Sequence, residues 1–146
     1  MSDATKTGTT TTHRGSCHCG KVRFEVDLDL AKGATRCNCS ICTKLSTLGV
    51  IVQPGALRVT EGEDRVAGYL WGHRVATRYF CPSCGVHLYG RGHLAELGGD
   101  FASVNLNALD GVELSELPIA YWDGRHDAWD AGTRATPWPI LRQELR

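Results

Sequence analysis

The sequence predicts an all-β domain, and three observations lead to that class. Residues 21–28 alternate apolar and charged side chains without exception, which is the period of a half-buried strand. Seventeen glycines among 146 residues break any long helical pattern. Turn sequences such as Pro54-Gly55 and Asp110-Gly111 recur between short apolar runs. Many short strands joined by frequent turns predict several small antiparallel sheets.

The predicted strands follow one another along the chain. They are Lys21–Leu28, Leu48–Val52, Leu57–Thr60, Val66–Trp71, Arg74–Phe80, Val86–Tyr89, Phe101–Leu106 and Ile119–Trp122. Gly72-His73 lies between two of these runs and predicts a hairpin loop. Only Ile41–Leu45 and Pro139–Leu145 have a weakly helical pattern.

Length and charge limit the kinds of protein that fit. A chain of 146 residues predicts one domain, here over residues 14–146, after a disordered threonine-rich tail over residues 1–13. The sequence has no secretory signal and no apolar run long enough to span a bilayer, so we expect a cytoplasmic protein without a membrane partner. Sixteen basic and sixteen acidic residues cancel, which argues against nucleic acid as a partner.

The chemistry of the chain is concentrated in three cysteine clusters. They are Cys17-His18-Cys19, Cys37-Asn38-Cys39-Ser40-Ile41-Cys42 and Cys81-Pro82-Ser83-Cys84. An odd total in a reducing compartment opposes a disulfide framework and favours metal binding. In a C-x-C pair on a strand both thiols point the same way, so His18 is expected to face away from the ion.

The number of cysteines predicts two different sites. Zinc prefers a tetrahedron of soft ligands with Zn–S distances of about 2.3 Å, and seven thiols make one closed set of four and one open set of three. Spacing alone does not say which clusters pair. The simplest grouping joins Cys17 and Cys19 with the later C-x-x-C pair, and it leaves the middle cluster with a vacant ligand position where chemistry can occur.

The segments around the cysteines resemble a known family, the glutathione-dependent formaldehyde-activating (GFA, or centromere-protein-V-like) family. The resemblance runs from about Gly15 to Trp129. The segments that carry it are Gly15–Phe24, Arg36–Thr43, Phe80–Val86, Val104–Asn107, Leu109–Gly111 and Tyr121–His126.

This resemblance implies a fold, two metal sites and an activity. The fold is an Mss4-like β-tent built around zinc. The implied structural zinc has the ligands Cys17, Cys19, Cys81 and Cys84, and a second, more labile zinc has Cys37, Cys39 and Cys42. The implied activity is that of S-(hydroxymethyl)glutathione synthase, a carbon–sulfur lyase that joins formaldehyde to glutathione. The chain is similar to a shorter branch of the family, which leaves the true thiol and aldehyde open.

We expect the open zinc to capture an incoming thiol and hold it as the thiolate, next to a small aldehyde. Lys44 and Arg78 are candidates for binding the carboxylates of a glutathione-like substrate, although either can be an ordinary solvated charge. Tyr121, Trp122 and His126 are candidates for the wall of the pocket, with core packing as the alternative for the aromatic rings.

Two other functions are compatible with the sequence. The first is a non-catalytic zinc-binding interaction module of Mss4-like fold, which predicts a large exposed apolar patch. The second is a redox thiol protein, in which the Cys81/Cys84 pair would cycle between thiol and disulfide instead of holding a metal. The vacant ligand position favours the enzyme, because a purely structural protein would more simply close both sites.

Overall fold

The structure, a computed structural model, describes residues 9–72 and 74–140. Within these residues the chain forms ten strands and one short α-helix, α1 (Ser40–Leu45), so the all-β class is confirmed. The strands are β1 (Thr11–Ser16), β2 (Arg23–Leu28), β3 (Ala34–Cys37), β4 (Gly49–Val52), β5 (Leu57–Glu61), β6 (Ala67–Leu70), β7 (Ala76–Phe80), β8 (His87–Leu94), β9 (Gly99–Asn105) and β10 (Ile119–Trp122).

The strands form two sheets, one small and one large. The three-stranded sheet has the order β1-β2-β5, and the seven-stranded sheet has the order β10-β3-β4-β9-β8-β7-β6. Neighbouring strands are antiparallel except β10 and β3, which are parallel. The predicted antiparallel pairing is therefore confirmed for all neighbouring strands of the described residues except this one pair. The last strand returns to the sheet edge far along the chain from β3, and a long connection permits parallel pairing.

The core lies between the two sheets. The apolar side chains of the first predicted strand are buried as expected: Val22, Phe24 and Val26 are at most 1% exposed. Phe24 of the small sheet meets Tyr89 of the large sheet with ring centroids 6.4 Å apart. Because each sheet covers the apolar face of the other, the loops at the sheet ends are held in fixed relative positions.

Two strands were not predicted from the sequence. β1 includes Thr11–His13, which were expected in the disordered tail; its largely polar residues pair with β2 from Thr11↔Leu28 to Ser16↔Arg23. β3 buries only Ala34 and shows no alternation. Both strands are defined by their neighbours rather than by an apolar pattern of their own.

The helix expectations have different outcomes. Ile41–Leu45 is confirmed as part of α1. Of the second segment, Pro139 and Ile140 have no regular structure, and residues 141–145 lie outside the described part of the chain. The same holds for residues 1–8 of the expected tail and for His73 of the expected hairpin loop. None of the described helices is long and apolar enough to cross a membrane.

We predict that Gly15→Ala destabilises the protein, because a Cβ at this position of β1 would overlap the Phe24 ring. Overpacking of this kind costs about 1–3 kcal/mol of unfolding free energy. The measurement is urea unfolding of the purified variant. Gly55→Ala is the matched control, since a Cβ there meets nothing within 4 Å. Equal stability of the two variants would contradict the close packing of β1 on β2.

Candidate metal centres

Four cysteine sulfurs meet where the loops after β1 and β7 come together. The Sγ atoms of Cys17, Cys19, Cys81 and Cys84 all lie within 4.8 Å of one another. Cys19 Sγ is 3.7 Å from both Cys17 Sγ and Cys81 Sγ. Cys17 and Cys81 are buried in the core, whereas Cys19 is exposed. These are the four cysteines that the simplest grouping joins, and we refer to them as the four-sulfur cluster.

The two loops of this cluster have the same local geometry. The Cys17 N–H donates to the Val22 carbonyl, and the Cys81 N–H donates to the Val86 carbonyl, each at 3.0 Å. A glycine follows the second cysteine of each loop in the left-handed region, with φ of 80° at Gly20 and 81° at Gly85. Each hydrogen bond closes a tight turn that presents two sulfurs on one side, and glycine adopts the required positive φ without strain.

The four thiols cannot ionise independently at this spacing. Hydrogen bonds from the backbone N–H groups of Val86 and Cys19 lower the pKa of Cys84 to about 6. For Cys19 the Lys21 N–H favours the thiolate, but desolvation and three neighbouring sulfurs together raise its pKa to about 11. Bringing all four to the thiolate form requires a positive charge among them, which a divalent cation such as zinc supplies.

Three further sulfurs form a second group at the end of β3 in the large sheet. Cys37 ends β3, Cys39 immediately precedes α1, and Cys42 lies in the first turn of that helix. Their Sγ atoms also lie within 4.8 Å of one another, and all three residues are partly buried. Cys39 is extended and its carbonyl accepts the Thr43 N–H at 2.9 Å, so the chain turns from strand to helix within the motif. We call this group the three-sulfur cluster.

Negative charge in the three-sulfur cluster is concentrated on Cys42. Hydrogen bonds from Cys37 and Cys39 hold the pKa of Cys42 far below its usual range, and the nearby Arg78 guanidinium lowers it further. Arg78 Nη2 lies 3.6 Å from Cys42 Sγ. Hydrogen bonds with Cys39 and Cys42, together with burial, raise the pKa of Cys37. One thiolate is therefore favoured in the free cluster, and three thiolates need a cation, which fits a metal-binding group.

A buried hydrogen-bond network connects the three-sulfur cluster to the loop after β10. Asn38, between two of the cysteines, is 5% exposed. Its Nδ2 donates to Asp123 Oδ1 at 2.8 Å, and its Oδ1 accepts the Arg125 N–H at 2.9 Å. The Asn38 hydrogen bond also lowers the pKa of Asp123, whose carboxylate lies 3.0 Å from His126 Nδ1. The loop after β10 is thereby fixed against the cysteine motif.

Gly124 in this loop packs directly on the cluster. A Cβ at this position would overlap both Cys37 Sγ and the Trp129 ring. Gly124 is itself buried, so a side chain there has no other direction to take. The absence of a side chain is what allows the loop to approach the sulfur.

A cavity of about 100 Å³ opens beside Cys37 and Cys42. Tyr121 and Trp122 line it, as predicted, whereas His126 is bound to Asp123 and is not among the lining residues. Of the two cations suggested by the sequence, Arg78 contacts Cys42 and Lys44 is exposed on α1.

Sequence reasoning missed several residues of this site. They are Arg36, Asn38, Asp123, Gly124, Trp138 and Ile140. Asp123 and Gly124 belong to a segment that carried the family resemblance, but no sequence pattern indicated what these two residues do. Trp138 and Ile140 had no sequence signal, because non-local hydrogen bonds, from Trp138 to Tyr121 and from Asn38 to Pro139, hold this segment at the cluster.

A comparison with protein families matches residues 12–122 to the model described as glutathione-dependent formaldehyde-activating enzyme. The match includes all seven cysteines. The chain belongs to this GFA family. Family membership confirms the resemblance stated from the sequence, and it places both cysteine clusters within the part of the chain that the family shares.

Two individual proteins are similar to this GFA chain. An Emericella nidulans protein with the provisional name glutathione-dependent formaldehyde-activating enzyme is 36% identical over 106 residues, which are 66% of this chain and 52% of the relative. The chain thus matches about half the length of that relative. A crystal structure of a Rhodobacter sphaeroides protein aligns with a TM-score of 0.61 and 32% identity over 73% of this chain and 98% of the other.

The two clusters are expected to differ in what their loss does. Cys42→Ser should keep the fold and lower the metal content by one ion per chain, because the three-sulfur cluster lies outside the core. Cys81→Ser should unfold the domain, since metal binding at a structural site contributes directly to folding free energy. Metal analysis by mass spectrometry and circular dichroism of both variants make the measurement. If both variants lost the fold to the same degree, the division into a structural and an open site would be wrong.

Arg78 should set the pH at which the three-sulfur cluster takes up metal. Its positive charge stabilises the negative charge that builds up when all three thiols ionise for metal binding, so Arg78→Gln should move the midpoint of metal uptake to higher pH. A shift of up to about 1 pH unit is expected for a partly exposed pair. Cobalt uptake followed by thiolate absorption measures it. Lys44→Gln, which removes an exposed charge from α1, is the control, and an equal shift there would show a non-specific charge effect.

Proposed function

We propose that this protein catalyses formation and cleavage of the carbon–sulfur bond between a thiol and a small aldehyde at the three-sulfur cluster. In the forming direction the thiol sulfur bonds to the aldehyde carbon, the carbonyl π electrons move to oxygen, and the thiol proton ends on that oxygen. When the aldehyde is formaldehyde, the product is an S-hydroxymethyl hemithioacetal. Cleavage is the reverse of this addition. Atoms and charge balance without any oxidant or reductant.

The observation that carries this proposal is the difference between the two clusters. Four sulfurs surround one position in the four-sulfur cluster, whereas the three-sulfur cluster has only three, and two of its residues, Cys37 and Cys42, line a cavity. A four-thiolate zinc site is closed, while a site with three protein ligands keeps a position for water or substrate. The relation to a family described by glutathione and formaldehyde supports the same assignment of substrates.

Each residue of the site has a defined task in this proposal. Cys37, Cys39 and Cys42 hold the metal, and Arg78 compensates negative charge at Cys42. Asn38 and Asp123 hold the motif in place, and Trp122 reduces the access of water to the cavity. Zinc bound there would supply the positive charge that keeps a substrate thiol deprotonated at neutral pH.

The rate gain from ionising the substrate thiol has an upper limit. A thiol with a pKa near 8.5 is about 3% ionised at pH 7, so complete ionisation gains roughly 30-fold at most. A coordinated thiolate is also a weaker nucleophile than a free one. Most of any larger acceleration must therefore come from holding thiol and aldehyde together in the cavity.

The proposed substrates are formaldehyde and a thiol, of which glutathione is the first to test, and the cytoplasm is the proposed location, since thiols stay reduced there. All seven cysteines are free thiols in the structure, which is compatible with that compartment. A non-catalytic zinc-binding module remains the alternative function, and the activity measurement below separates the two.

The test is exchange spectroscopy by NMR on the equilibrium between formaldehyde, glutathione and their adduct, with and without the zinc-loaded protein. The loaded wild type should accelerate exchange beyond the spontaneous rate. This acceleration should fall at least tenfold in Cys42→Ser and after chelation, and added zinc should restore it in the chelated wild type. Ile51→Ala, an exposed substitution on β4, should exchange like the wild type. Spontaneous exchange rates in the loaded wild type would reject the enzyme and favour the interaction module.

A further inference from the structure

Residues 134–140 form a strap over the three-sulfur cluster, and this strap lies beyond the residues that match the family model. Its first residue pairs with β10: the Tyr121 N–H donates to the Arg134 carbonyl at 2.8 Å, and the Arg134 N–H donates back at 3.1 Å. Further along, the Trp138 Nε1–H donates to the Tyr121 carbonyl at 3.0 Å. Two separate attachments to one residue fix the direction of the strap.

The strap is also braced internally and held at its far end. The Arg134 guanidinium lies 3.5 Å from the Trp138 ring centroid, and its Nη2 donates to the Pro137 carbonyl at 2.8 Å. Asn38 Nδ2 donates to the Pro139 carbonyl at 3.3 Å. The residue that lies between two cysteines of the cluster is thus directly bonded to the strap, so the strap and the cluster keep one relative position.

The strap gives the cavity an apolar wall. Pro137, Trp138 and Ile140 line it together with Tyr121 and Trp122 of β10. These five side chains present rings and aliphatic carbon to whatever occupies the space beside the sulfurs. At about 100 Å³ the cavity accommodates a compact group and leaves a long peptide-like substrate mostly outside.

One cation lies beside the apolar wall, because Arg36 of β3 is the strand partner of Tyr121 in β10. Arg36 lines the cavity, and its Nη1 donates to the Ser46 carbonyl and hydroxyl at 3.4 and 3.3 Å. Among the residues the structure describes, no carboxylate forms an ion pair with Arg36. A guanidinium that already has a fixed position and lacks an acidic partner is suited to bind a substrate carboxylate.

We propose that the strap makes this site selective for compact thiols that carry one carboxylate close to the sulfur, in preference to glutathione. This inference rests on the proposed function, because it names the thiol for the same reaction. The carboxylate pairs with Arg36, the short carbon chain packs against Trp138 and Ile140, and the sulfur reaches the cluster. Glutathione, with carboxylates at the two ends of a tripeptide, cannot place both its sulfur and a carboxylate within so small a cavity.

The experiment compares 3-mercaptopropionate, 2-mercaptoethanol and glutathione on the zinc-loaded protein. Calorimetry gives their binding constants, and exchange spectroscopy with formaldehyde gives kcat/KM. The wild type should favour 3-mercaptopropionate over glutathione by about tenfold or more, the range that one pocket contact supplies. Arg36→Gln should weaken binding of 3-mercaptopropionate while leaving that of 2-mercaptoethanol unchanged, since only the former has a carboxylate.

Strap variants provide the second arm. Ile140→Ala and Trp138→Ala widen the cavity and should reduce the preference of 3-mercaptopropionate over glutathione at least fivefold, in binding and in kcat/KM. Ile51→Ala is the matched control, because Ile51 and Ile140 are similarly exposed, at 52% and 54%, and only Ile140 lines the cavity. Ile140→Ala also keeps the test valid if the tryptophan variant fails to fold.

The outcomes separate this inference from the proposed function. Acceleration of all three thiols without discrimination, or a preference that the strap variants leave at the wild-type value, would overturn the inference and leave the activity standing. Absence of acceleration would reject the activity, and the calorimetric preference would still decide the inference: selective binding that is lost in Ile140→Ala supports it, and equal binding of the three thiols rejects it.

Discussion

The crowding of sulfur atoms is the constraint on which the rest of this structure depends. Four thiols within 4.8 Å of one another join the loop after β1 in the small sheet to the loop after β7 in the large one. Without a cation, neighbouring thiolates repel, and their pKa values move in opposite directions. With a divalent cation the same four groups become a cross-link between the sheets at their common core, where Cys17 and Cys81 are almost fully buried.

The three-sulfur cluster has the same kind of side chains as the four-sulfur cluster, but it lies at the junction of a strand and a helix and not in the core between the sheets. It lies where β3 ends and α1 begins, and its surroundings come from distant parts of the chain: Arg78 from β7, and Asn38 bonded to Asp123 after β10. A closed cluster needs only its own loops. A cluster with a vacant ligand position also needs residues that line its cavity, a compensating positive charge, and hydrogen bonds that hold its ligands, because part of its environment must be left free for a substrate.

Much of this arrangement could be predicted from the sequence, and the exceptions have physical causes. Alternation over residues 21–28 identified β2, since one face of that strand meets the core. β1 was missed because its stability comes from pairing with β2 and not from apolar side chains. The cysteine count anticipated one group of four and one of three. It could not anticipate Trp138, whose position depends on a hydrogen bond to Tyr121 that has no local sequence signature.

Gly124 carries a consequence for how related sequences can diverge. Its α-carbon occupies the space next to Cys37 Sγ, with Trp129 on the other side, so residue size at this position is coupled to the presence of the thiol. A lineage that replaces the glycine by a larger residue must displace both the sulfur and the Trp129 ring, and loss of the cysteine removes only the first of these two overlaps. Positions 37, 124 and 129 should therefore vary together, and the three residues are a sequence marker for chains that retain the three-sulfur cluster.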